Sequence, residues 1–130
     1  MLFDKELLDS LSAQAQASPR MRMNMDLRNS AGDSSQRMLN AIEPGSEVPL
    51  HRHRATSETL VVLRGRVVEE YYDDARTLVA SYELAAGGPC FAMNIPAGQW
   101  HTLRALEGGT VILEMKDGAY EPVAPEDVLM

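Results

Sequence analysis

The stretch GSEVPLHRHRATSETLVVLRG, residues 45–65, decides the fold. It places two of the chain's three histidines, His51 and His53, one residue apart, then Glu58, then an apolar run over 60–63 that Gly65 closes. In a strand, residues two apart share a face about 6.5–7 Å from one another along the chain, so both imidazoles can lean toward one point while Arg52 points away. Glu58, at the start of the next strand, can offer a carboxylate to the same point. Leu60 and Val62 alternate with Val61 and Leu63, so this strand is apolar on both faces. In so small a chain that hints at cover from a second copy, hence a homodimer.

Working outward toward the start, Leu7, Leu8, Leu11 and Ala15 recur at three- and four-residue steps. They predict an amphipathic helix over 4–17, with Asp4 as its N-cap and Ser18-Pro19 as its stop. After Pro19 the period changes to two: Met21, Met23, Met25 and Leu27 alternate with Arg20, Arg22, Asn24 and Asp26, which predicts a half-buried strand. Further strands are expected over 36–42, 60–63, 66–72, 77–83, 91–95, 101–106 and 110–116, separated by Gly, Pro and Asp punctuation. Short strands with frequent turns mean an all-β sandwich or barrel over 20–117, followed by an irregular tail over 118–130.

The whole is expected to be one domain over 1–130, a length typical of a single core. Twelve Lys and Arg against nineteen Asp and Glu give a net charge of −7, which disfavours nucleic-acid partners. The opening MLFDKELLDSLSAQ lacks the basic start and apolar centre of a secretory signal, and no run approaches the roughly 18 apolar residues of a membrane span. The expected setting is cytoplasmic, with no membrane partner. Cys90 is the sole cysteine, so no intramolecular disulfide can form, and it reads as a small buried hydrophobe.

The third histidine, His101, ends the stretch PAGQWH, residues 96–101, where a sandwich could bring it opposite the pair. Three imidazoles and a carboxylate suit Fe, Mn, Ni, Zn or Cu rather than Ca or Mg. Taken alone, a His-x-His pair reads as solvated polar residues on a surface strand. Arg20, Arg22 and Asn24 share a strand face and could grip a substrate carboxylate or phosphate, against simple solvation. Glu114 and Lys116 share a face of the last strand with Tyr120 just beyond; Lys116 and Tyr120 are candidate acid-base groups and Glu114 a substrate contact, or all three form a salt-bridging rim. Gln36 and Asn40 face the same way on a strand entering the histidine loop, where an amide could orient a ligand histidine. Trp100 would point to the face opposite His101, as packing, and the methionine stripe reads as core filler.

The two stretches together resemble the paired motifs of the cupin superfamily. In the first, a glycine, five residues, His-x-His, four residues, a glutamate, six residues and a glycine match throughout 45–65; in the second, Cys90 and Ala105 stand where the family tends to have glycine and asparagine. The runs SPRMR, QRMLNAIEPG, VLRGRV, IPAGQWHTL and EMKDGAYEP further resemble the WbuC-type cupin fold metalloproteins. The resemblance implies a jelly-roll β-barrel, metal ligands at His51, His53, Glu58 and His101, and a setting in surface-polysaccharide metabolism. One divalent transition metal ion per chain, Fe, Mn, Ni or Zn, follows from it.

Two function classes fit this reading. One is a metalloenzyme, an isomerase, lyase or oxygenase, acting on a small polar molecule such as a sugar or nucleotide-sugar derivative. The other is a module that binds or senses such a ligand without turnover. Fold alone does not choose, because one fold hosts many chemistries.

Overall fold

The computed structural model describes residues 1–118 and 121–129. Helix α1 (Lys5–Ala17) starts where the Asp4 carboxylate accepts the Leu7 backbone N–H at 3.0 Å, satisfying one of the donors that a helix leaves open at its start. It ends at Ser18, whose extended backbone is the geometry a following proline demands.

Ten strands follow: β1 (Arg22–Asp26), β2 (Ser35–Ile42), β3 (Leu50–His51), β4 (Glu58–Arg64), β5 (Arg66–Tyr72), β6 (Leu78–Ala85), β7 (Ala92–Ile95), β8 (Trp100–Ala105), β9 (Thr110–Asp117) and β10 (Val128–Leu129). They form two five-stranded antiparallel sheets, ordered β1-β2-β9-β4-β7 and β10-β3-β8-β5-β6. The period of two sorts each strand into two faces. Ile42, Leu60, Val62, Val67, Leu84, Leu103, Ala105 and Ile112 form one buried cluster. Leu39, Ala41 and Val111 point the other way and are buried beneath Leu8, Leu11 and Ala15 of α1. Each buried aliphatic side chain is worth about 1.5–3 kcal/mol, so these two clusters are the main stabilising contribution. Arg64 ties the helix down by donating to Asp9 at 2.6 Å, to the Ser12 hydroxyl at 3.1 Å and to the Gly109 carbonyl at 2.8 Å.

Most expected strands are present within one to three residues of their expected ends, and the departures have physical reasons. Arg20 lies outside β1, because Met21 takes a left-handed φ of 56° that breaks the strand between Arg20 and Arg22. The second cover over β4 comes in part from the chain itself: Leu63 packs into the cluster under α1, so the two-faced apolar run does not require a second copy. The tail is not wholly irregular, since a 3₁₀ turn at Pro125–Asp127 leads into β10, which pairs with β3. Cys90 is exposed, in the turn before β7, and not the buried hydrophobe its residue type suggests. Met23 and Met25 are half-buried against the helix cluster, as core filler. Among the described residues no helix is long and apolar enough to cross a membrane.

Candidate metal centre

β3 and β8 are adjacent strands, and their register sets His51 directly opposite His101. Their ring centroids lie 4.3 Å apart, and the His53 ring stands 5.1 Å from His51 and 5.8 Å from His101. The two motifs are also joined through the backbone, because the Gly98 N–H donates to the His53 carbonyl at 2.7 Å. Gly98 enters that turn at a φ of 82°, which glycine adopts without steric cost. One donor atom from each histidine falls within 4.8 Å of the other two, so the three could hold a metal ion.

Hydrogen bonds decide which ring atoms are available. His51 Nδ1 is 2.9 Å from the Pro49 carbonyl and His101 Nδ1 is 2.9 Å from the Gln99 carbonyl. A carbonyl only accepts, so each Nδ1 carries the proton and each Nε2 keeps its lone pair. His101 Nε2 is buried with no partner among the described residues. A buried lone pair without a partner is costly, and a cation is the group that would satisfy it beside two further imidazoles. Burial, with the neighbouring His101, pulls the His51 pKa down to about 4, and burial lowers that of His101 too. Both rings are therefore neutral and able to ligate at physiological pH.

His53 is partnered at both nitrogens, with Glu58 Oε2 3.3 Å from Nε2 and Lys116 Nζ 3.4 Å from Nδ1. It alone of the three must give up a hydrogen bond to take an ion. Burial pushes the Glu58 carboxyl up, but the hydrogen bond from His53 and the nearby His101 and His53 outweigh it and hold Glu58 ionised. The register explains the grouping: Lys116 of β9 sits between Gln36 of β2 and Glu58 of β4.

A cavity of about 300 Å³ opens over the histidines. It is lined by Arg20, Arg22, Asn24, Gln36, Asn40 and Glu114 as well as His51, His53, Glu58 and His101. Arg20 thus reaches the site despite lying outside β1. Glu114 is on the inner face and not on a rim; burial, with Glu58 nearby, raises its pKa to about 8, so it is mostly protonated at neutral pH. Lys116 lines a neighbouring cavity that shares the His53 wall and does not line the one over the histidines. Gln36 and Asn40 do not take the orienting role expected of them, which the Pro49 and Gln99 carbonyls fill instead. Tyr120 lies outside the described residues.

Three features were not anticipated. Glu69 on β5 is fully buried with neither carboxylate oxygen partnered among the described residues, and burial, reinforced by Glu58 and Glu114, raises its pKa to about 9. Tyr71, opposite His101 on β5, has a pKa raised to about 12 by burial. Behind the histidine pair, Arg52 stacks over the Trp100 ring at 4.5 Å and donates to Asp127 at 2.7 Å; Arg54 donates to the same Asp127 oxygen at 2.7 Å. The Trp100 indole N–H donates to Asp74 at 3.1 Å. The Val67-Glu69-Tyr71 alternation was the available signal for an inward Glu69, but Glu70 beside it puts an acid on both faces.

Solved structures share this architecture. CapF, solved with the inhibitor 3-isopropenyl-tropolone, superposes with a TM-score of 0.65 at 19% identity, over 76% of this chain and 29% of that one. An oxalate oxidase in complex with glycolate gives 0.62 at 18% identity, over 84% of this chain and 57% of that one. KdgF from Halomonas sp. gives 0.61 at 15% identity, over 79% and 84%. This chain therefore spans less than a third of CapF and somewhat over half of the oxalate oxidase. The fold is the cupin jelly roll with an N-terminal helix. No curated protein sequence matches the chain. Residues 3–84 match the family model described as Domain of unknown function (DUF6016), and the chain belongs to that family.

Proposed function

We propose that this protein is a metalloenzyme acting on a small polar molecule in the cavity over its histidines, with one divalent transition metal ion held by His51, His53, Glu58 and His101. The observation that carries the reading is His101 Nε2, buried without a partner and aimed where two further imidazoles converge. A divalent ion there supplies Lewis acidity toward a substrate oxygen. The chain's own groups do the rest. The Pro49 and Gln99 carbonyls fix the ring orientations, Glu58 balances the charge beside His53, and Glu114 offers a carboxylic acid proton on the cavity wall. Lys116 acts through His53, as a positioning residue.

The resemblance to WbuC-type proteins supports a place in surface-polysaccharide metabolism. A homodimer is part of the proposal, and the exposed Leu78, Val79, Tyr82 and Phe91 at the β6 and β7 edges offer the apolar surface for it. Elemental analysis of protein purified without a histidine tag should find one transition metal per chain. Metal-loaded protein should then turn over at least one member of a panel of sugars and sugar derivatives, tested with and without dioxygen. Binding without turnover across that panel would replace the enzyme with a sensing module, and absence of metal would end both.

A further inference from the structure

The cavity over the histidines has a second recognition surface on the β1–β2 side. Arg20 and Arg22 line it, and neither is in an ion pair with a carboxylate among the described residues. Arg22 donates to the Glu47 backbone carbonyl at 2.9 Å and is half-buried. Its guanidinium feels burial first, the repulsion of Arg20 second and the attraction of Glu114 third, so two cations are held close together beside the cavity. Gln36 and Asn40 line the same cavity, and their Oε1 and Oδ1 atoms are buried without a partner among the described residues. The Asn40 side chain also hydrogen-bonds Glu114.

These groups define their ligand by what each lacks. Two arginines require an anionic oxygen group, matched in geometry by a carboxylate or a phosphate. Two orphaned acceptors require donors, and hydroxyls supply them without adding positive charge beside the arginines. A volume of about 300 Å³ is at the small end for ligand sites and suits one sugar unit rather than a sugar nucleotide.

We propose that this surface binds a monosaccharide-sized polyhydroxylated anion, its charged group on Arg20 and Arg22 and its hydroxyls donating to Gln36 and Asn40. The inference rests on the reading of the cavity as a small-molecule site, yet its selectivity comes from these four side chains and not from a metal ion.

Isothermal titration calorimetry with D-glucuronate, glucose 6-phosphate, methyl glucoside and propionate tests it, in both metal-free and zinc-loaded protein. At least one of the two polyhydroxylated anions should bind tenfold or more tighter than methyl glucoside and than propionate in both forms; the tighter of the two tells carboxylate from phosphate. Arg20→Gln, an exposed position that cannot disturb the core, should remove most of the preference over methyl glucoside. Gln36→Leu should remove most of the preference over propionate. Equal or absent binding of all four probes, or a preference unchanged in both variants, would overturn the proposal. Zinc uptake without any such preference would sink it while sparing the metal centre, and the preference without zinc uptake would do the reverse.

Discussion

His51 and His101 are antiparallel partners on β3 and β8, each with Nδ1 held at 2.9 Å from the carbonyl two residues before it. The two rings are therefore oriented alike by backbone groups that no side-chain substitution removes. Either His51→Ala or His101→Ala should reduce bound transition metal by at least tenfold while leaving the far-ultraviolet circular dichroism unchanged. Elemental analysis after desalting checks this, and full metal content in both variants would refute the site. Glu58→Gln should weaken affinity by about 10–100-fold, the usual scale for losing a group that orients or completes a metal shell.

Acid should destabilise the metal-free protein. The His51 pKa is about 6.5 in the unfolded chain and about 4 in the fold, because burial opposes its charging. Between those values the unfolded state binds a proton that the native state does not, so stability falls as pH drops from about 6.5 toward 4. Urea denaturation at pH 7 and pH 5 should show this loss, and His51→Asn should make the two curves more alike.

Glu69 should act in the opposite sense. Its carboxyl has a pKa of about 9 in the fold against 4.5 unfolded, so the native state keeps a proton that the unfolded chain releases. Stability then declines as pH rises from about 4.5 to about 9. Glu69→Gln, a neutral isostere, should stabilise the protein at pH 8 by at least about 1 kcal/mol, the worth of one pKa unit, and change little at pH 5. An unchanged or lowered melting temperature at pH 8 would count against a protonated Glu69.

Gly65, which closes the first motif, has a φ of 85°, and a Cβ there would press on the Thr110 side chain and lie 2.8 Å from its Cα. Gly65→Ala should cost about 2–5 kcal/mol from backbone strain and overpacking together. Gly45→Ala, with a φ of 91° but open space around it, should cost only the strain, about 1–2 kcal/mol. Thermal melts of the two variants side by side separate the contributions.

Much of this was legible in the chain. The His-x-His spacing and the later histidine pointed to the three-histidine group, since strand alternation puts His51 and His53 on one face whatever the tertiary context. The same alternation set Leu39 and Ala41 apart from Asn40 and Ile42. Other features had no local signal. β3 and β10 are two residues long, too short for a period to show, and exist because each pairs with a strand distant in sequence. The left-handed Met21 has no glycine or asparagine to announce it. The exposure of Cys90 and the sharing of Asp127 between Arg52 and Arg54 depend on which segments happen to meet.

The shortness of β3 has a consequence for the order in which the protein matures. Its two residues are held by β8 on one side and β10 on the other, and both partners are synthesised long after it. Contacts between segments so far apart close a large loop and form slowly. During synthesis the His51–His53 pair emerges early, yet it lacks its third imidazole until β8 has emerged and its flanking strand until β10 has. A group that needs all three imidazoles in place is therefore assembled only after these distant strands have joined β3, late in folding.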